Sequence, residues 1–142
     1  MPAYLALDVG EKRIGVAVSE WGDLVVPLGV IQRGPRELEE IRRHIEERSI
    51  ERIIVGLPVS LDDTIGTQAK KVLKFVNLLR QNLNLFIETH DERFSTHEAE
   101  ALLLSADVSR ARRRQSIDAM AAVQILKGYL SAQAERNRTG EG

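Results

Sequence analysis

Cysteine is absent from the 142 residues, which excludes a disulfide framework, a thiolate metal site and a cysteine nucleophile. Aromatic residues are scarce, at 4%. The core must therefore be aliphatic, and there is little material for the base-stacking platforms of single-strand binders. No apolar run approaches the ~20 residues that cross a bilayer, and the N-terminus opens into a strand-like pattern with no signal-peptide layout. The expectation is a cytoplasmic protein without membrane contact. Nor is there an excess of one charge: 20 Lys and Arg face 21 Asp and Glu, for a formal net charge of −1. A globally basic nucleic-acid wrapper is excluded, while a local basic patch is not. A chain of this size holds one domain and one core, since domains commonly run to roughly 100–150 residues.

What is present reads as alternating elements. Tyr4–Val9, Arg13–Ser19 and Leu24–Ile31 are β-rich runs separated by Gly10-Glu11-Lys12 and Trp21-Gly22-Asp23, which predicts a three-stranded antiparallel meander. After Gly34-Pro35, the residues Leu38, Ile41 and Ile45 recur at helical spacing. The β-branched run Arg52–Leu57 predicts a central strand covered on both faces. Ala69, Val72, Leu73, Val76 and Leu79 trace a helical face, and Leu83–Glu88 a further strand, giving a right-handed parallel crossover. Ser95-Thr96-His97-Glu98 has the form of a capping box, and Ser116 is a candidate cap for a last helix carrying Met120, Val123, Leu126 and Leu130.

Three acidic positions stand out by their placement. Asp8 interrupts an apolar first strand near its end. Asp91 and Glu92 follow the last strand, and Asp118 falls in the expected first turn of the last helix, beside Ala119, Ala121 and Ala122. If strand 1 is central, all these positions share the sheet edge where open α/β sheets build their sites. Carboxylates drawn together repel unless a cation neutralises them, and hard oxygen ligands suit Mg²⁺ or Mn²⁺. Two such ions can hold the attacking and leaving oxygens of a phosphodiester. Taken singly, each position has a plainer explanation: Asp118 could favour the helix macrodipole, Asp8 could cap the Gly10 turn, and Asp91 and Glu92 could be solvated.

The segments Asp8–Ala17, Ile54–Pro58, Asp91–Thr96 and Asp118–Ala122 resemble, in order and spacing, the YqgF/RuvX family. The resemblance runs from Leu5 to about Tyr129. It implies a ribonuclease H-like α/β fold: a five-stranded mixed sheet, three antiparallel strands followed by parallel crossover strands, with helices on both faces. The family is similar to the RuvC Holliday-junction resolvase and is regarded as the nuclease that matures the end of the 16S ribosomal RNA precursor. The implied domain is 1–134, with 135–142 as a disordered tail.

By the same resemblance Asp8, Asp118 and one of Asp91 and Glu92 are the catalytic, metal-holding residues of a two-metal Mg²⁺ or Mn²⁺ site. Adjacent strand residues point to opposite faces, so only one of Asp91 and Glu92 reaches the metals, and the sequence leaves the choice open. Asp63 stands where the family's polar loop usually has glycine.

Arg13 and Arg93 either grip phosphate or pair with local carboxylates. Arg110, Arg112, Arg113 and Arg114 form the one dense basic stretch and would grip a nucleic-acid backbone without reading sequence. His90 and His97 bracket the acidic motif and are candidates for proton transfer. The resemblance makes RNA the favoured substrate and branched or single-stranded DNA the alternative, and the protein is expected to be a monomer or homodimer. Gly10 and Gly15 have P-loop spacing, but Val16-Ala17 replace the residues that would hold phosphate and Mg²⁺. A two-lobed sugar-kinase-like reading fails on size. A non-catalytic nucleic-acid scaffold would have no use for clustered acidic residues.

Overall fold

A computed structural model describes residues 2–22, 24–59, 65–92 and 110–138, excepting the side chains of 110–116 and 138. The order is β1 (Ala3–Val9), β2 (Arg13–Trp21), β3 (Leu24–Gln32), α1 (Glu37–Arg48), β4 (Ile50–Leu57), α2 (Thr67–Asn82), β5 (Phe86–Asp91) and α3 (Arg110–Arg138). The sheet runs β3-β2-β1-β4-β5. The first three strands pair antiparallel, and β1, β4 and β5 are parallel. This is the expected mixed sheet, with β1 at its centre. Among the described residues no helix is long and apolar enough to cross a membrane.

The strand period of two sorts side chains onto two faces. Leu5, Leu7, Val9, Ile14, Val16, Ile53, Val55 and Ile87 join Ile41 of α1 and Val72, Phe75, Val76 and Leu79 of α2 in one core. Ala6, Ala17 and Ile54 face the other way, onto Ala122, Val123, Ile125, Leu126 and Tyr129 of α3. Each large aliphatic side chain so buried contributes roughly 1.5–3 kcal/mol. The α3 face differs from the expected stripe: Ala119, Ala122 and Tyr129 are buried, whereas Met120 and Leu130 only flank that core.

Three boundaries differ from expectation. β5 begins at Phe86, not Leu83, because α2 continues to Asn82 and the Leu83 N–H bonds back to Leu79 O at 2.8 Å. The strand consequently extends through Asp91. α3 begins at Arg110 rather than after Ser116, because arginine, alanine and glutamine are strong helix formers that override the local capping signal. It continues to Arg138, beyond the point where the polar composition predicts a disordered tail at 135. Asp63, Arg93, the Ser95 capping box and His97 lie outside the described residues.

Candidate active site

β1 ends at the carboxyl edge shared with β4 and β5. Tyr4, Ala6 and Asp8 alternate onto the α3 face of β1, as Arg52, Ile54 and Gly56 do on β4 and Glu88 and His90 on β5. Continuing that alternation, Asp91 turns to the opposite face and Glu92 returns to the face of Asp8. The alternatives left open by the sequence are separated by this register: Glu92 meets Asp8 in a side-chain hydrogen bond, and Asp91 does not.

Glu92 must cross β4 to reach β1, a span of roughly 10 Å between alternate strands. Gly56 permits the crossing. A Cβ there would lie 2.4 Å from Ile125 Cδ1 of α3, 2.7 Å from Glu92 Oε1 and 3.0 Å from its Cγ, so a larger residue would press on both α3 and the carboxylate.

The pair carries its charge under constraint. Burial, together with the negative charge of Glu92 beside it, a hydrogen bond to Glu92 and the charge of Asp118, pushes the Asp8 carboxyl up to about 8. Burial likewise raises Glu92, and Asp91 adds to this, while the hydrogen bond from Asp8 opposes it. Two carboxyls brought together under burial, each disfavoured as an anion, are a donor set suited to a hard divalent ion.

Asp118 takes a different place from the one expected. It lies more than two turns inside α3, not in its first turn, so the macrodipole explanation does not apply to it. Its carboxylate is engaged by the Arg13 guanidinium from β2. Of the two roles open to Arg13, the structure shows the carboxylate partner. Asp118 is near enough to raise Asp8 by its charge, yet among the described residues no three acidic or histidine side chains gather closely enough to hold one metal. Among the described residues Asp8 and Glu92 meet directly, and Asp118 lies near them, paired with Arg13.

Arg110, Arg112, Arg113 and Arg114 occupy the first turns of α3. The helix places Arg114 about 6 Å of axial rise before Asp118. His90 is buried, its Nε2 lacks a hydrogen-bond partner, and burial lowers its pKa against the opposing charges of Asp91 and Glu88. His44 lies on α1, 3.3 Å from Arg48, away from the carboxylates.

Two features escape a reading of the residues alone. One is Gly15, which faces Asp8 across the β1–β2 ladder and lies against the main chain of Asp118. A glycine inside a strand is the signal that could have revealed that approach. The other is a cluster at the far end of the same face. There Arg52 donates to the Tyr129 hydroxyl, lies 4.6 Å from the Phe86 ring centroid and stands 3.9 Å from Glu88.

Comparison with known proteins gives this arrangement its context. The family model for RuvX, described as a Holliday junction resolvase, matches residues 2–132. The chain belongs to the RuvX family. A protein of Desulforamulus reducens named "Putative pre-16S rRNA nuclease" is 44% identical over 134 residues, covering 92% of this chain and 98% of its own length. One of the same name from Clostridioides difficile is 43% identical over 129 residues, covering 89% of this chain and 92% of its own.

Among solved structures, Thermus thermophilus RuvC in complex with a Holliday junction substrate superposes with a TM-score of 0.53 at 14% identity, over 93% of this chain and 96% of that one. The Fowlpox virus resolvase in complex with Holliday junction DNA gives 0.53 at 9% identity, over 92% and 98%. Those likenesses establish for the RuvX chain the ribonuclease H-like fold of RuvC.

Proposed function

We propose that this RuvX-family nuclease hydrolyses phosphodiester bonds of the 16S ribosomal RNA precursor in the cytoplasm, using Mg²⁺ or Mn²⁺ held by Asp8 and Glu92. The observation that carries the reading is the Asp8–Glu92 pair: two carboxyls at the carboxyl edge of the central strands, one with its pKa pushed up to about 8. The names of the relatives favour ribosomal RNA as substrate, and the description of the family model keeps a four-way DNA junction as the second reading. When bound, the divalent ion would activate water and neutralise the leaving oxygen.

The chain's own residues then have separable tasks. Asp8 and Glu92 are the residues that would hold the cation at the end of β1, with Asp8 in its deprotonated form. Asp118, paired with Arg13, keeps a third carboxylate in reserve at the edge of the site. Its release from Arg13 would supply the additional ligand that a two-ion arrangement needs. Arg13 would then be free to meet phosphate oxygens, for which its planar fork is suited. The basic start of α3 attracts the nucleic-acid backbone without specifying sequence.

The test is cleavage of a 16S precursor fragment and of a four-way DNA junction with Mg²⁺ or Mn²⁺, comparing wild type with Asp8→Asn and Glu92→Gln. Cleavage of the RNA, lost in both variants, is expected. Activity that survives both substitutions would refute the site, and cleavage confined to the junction would transfer the substrate to DNA.

A further inference from the structure

A cavity of about 690 Å³ opens on the sheet face opposite Asp8 and Glu92, between α2 and the β1–β2 turn. That volume lies within the roughly 300–1,000 Å³ typical of small-molecule sites. Its wall on α2 is mixed: Val72, Phe75 and the exposed Leu78 form an apolar strip among Lys71, Lys74 and side-chain amides, and the carboxylates of Glu11 and Glu37 also line the cavity.

Arg33 closes one side and is immobilised three ways. Its Nε lies 2.6 Å from Glu37 Oε2, its Nη1 donates to Gly10 O at 2.7 Å, and its Cζ sits 5.0 Å from the Phe75 ring centroid. A guanidinium fixed over an aromatic ring by two hydrogen bonds is a planar cation, a surface on which nucleobases stack.

The two lysines are differently free. Lys71 Nζ is 3.2 Å from Glu11 Oε1, with both side chains mostly exposed (59% and 70%). Such a pair contributes about 0–1 kcal/mol and exchanges readily for a better anion. Lys74 is exposed and has no ion pair among the described residues. A purely apolar ligand would make no use of these cations, and an inorganic anion would make none of the apolar strip. Planar cation, apolar strip and mobile ammonium groups together match a base joined to a phosphate.

The position is equally telling. Val9 and Gly10 line the cavity, and Gly10 is two residues from Asp8, about 7 Å of extended chain. That is comparable with the span of one nucleotide, so a strand held at the carboxylates can turn over the sheet edge and enter.

We propose that this cavity takes one nucleotide of the substrate strand flanking the scissile phosphate, its base on the Arg33–Phe75 shelf and its phosphate between Lys71 and Lys74. The assignment rests on the nuclease reading and extends it to how the strand is positioned. The substrate strand, rather than a free nucleotide, is its source.

The test uses the isotopically labelled full chain in EDTA, so that nothing is cleaved, titrated with adenosine 5′-monophosphate, with inorganic phosphate and with a short single-stranded RNA. Amide shifts at Gly10, Lys71, Lys74 and Phe75 are expected with the nucleotide and the RNA but not with phosphate. The double variant Lys71→Glu/Lys74→Glu should weaken binding at least tenfold with its thermal midpoint unchanged. Shifts confined to the surroundings of Asp8 and Glu92, or unaltered affinity in the double variant, overturn the proposal.

In cleavage assays, an abasic residue at the flanking position should raise KM and leave kcat in place. An unchanged KM would exclude the substrate strand as the source. Failure of the nuclease reading itself looks different: wild type would cleave neither RNA nor DNA while the nucleotide-induced shifts persisted.

Discussion

Gly15 of β2 lies directly beneath the main chain of Asp118 in α3: a Cβ at Gly15 would stand 1.9 Å from the Asp118 carbonyl oxygen and 2.4 Å from its carbonyl carbon. Both atoms belong to backbone, so no side-chain rotation relieves the contact. Gly15 also pairs with Asp8, and the same residue therefore sets how closely α3, with Asp118, rides over the sheet beside Asp8.

Gly15→Ala should accordingly displace α3. Overpacking costs about 1–3 kcal/mol, and sometimes more, where the neighbours cannot yield. The thermal midpoint should fall by roughly 5–10 °C, with nuclease activity reduced further than stability alone accounts for. Gly66→Ala is the comparison without a clash, since a Cβ there meets nothing within 4 Å. As Gly66 is the N-cap of α2, its loss should cost about 1 kcal/mol or less, a smaller fall in midpoint than that of Gly15→Ala and with cleavage per folded molecule unchanged.

The register of β5 predicts unequal effects at adjacent positions. Glu92→Gln should lower cleavage by about 100-fold or more, equivalent to ~2.7 kcal/mol of barrier. Asp91→Asn, on the opposite face, should remain within a few-fold of wild type. Steady-state cleavage under saturating Mg²⁺ distinguishes them, and equal losses would refute the assignment of Glu92. Gly56→Val should lower cleavage as Glu92→Gln does and, unlike it, also lower the thermal midpoint, because its side chain would meet both Glu92 and the buried Ile125 of α3.

The raised pKa of Asp8 makes a signed prediction for the metal-free protein. Its folded value is about 8 against an ordinary value of 3.8, so the folded state binds more protons than the unfolded state between those limits. This contribution to stability is fully present below the unfolded pKa and is lost as pH rises through about 8. In EDTA the thermal midpoint should fall between pH 6 and 9, by an amount on the order of 2 kcal/mol in stability. Asp8→Asn should flatten that dependence and raise the midpoint at pH 8. Mg²⁺ should stabilise wild type more strongly at pH 8 than at pH 6, as proton and cation compete for the same oxygens. A wild-type profile in EDTA that rises with pH would contradict the arrangement.

At the far end of the α3 face, Tyr129 has a structural task. Burial, with a hydrogen bond to Glu88, pushes its phenol up to about 12, against the opposing influence of Arg52. Its hydroxyl receives hydrogen bonds from Arg52 and from Gln133 Nε2, the latter at 2.8 Å. Tyr129→Phe should cost about 1–2 kcal/mol by urea unfolding, as expected for buried donors left without their acceptor. Cleavage per folded molecule should be unchanged, which would separate this cluster from the carboxylate site.

Much of the molecule was decided locally. Alternation in Tyr4–Val9 and the unbroken Ile53-Ile54-Val55 run determine strands and their covered faces, because side-chain direction in a strand has a period of two. The helical spacing of Val72, Val76 and Leu79 fixes the buried face of α2 for a similar reason. Asp8 was legible as a candidate because a carboxylate in an apolar strand calls for a partner.

Tertiary structure decided the rest. The choice of Glu92 over Asp91 depends on where β5 begins relative to β4, since a slip of one residue exchanges the faces of the whole strand. The partnership of Asp118 with Arg13 joins residues 105 positions apart, and the meaning of Gly15 exists only once α3 lies across β2. Local spacing carries the period of an element. It does not carry the register or the distance at which one element meets another, and the chemistry of this site resides in those two quantities.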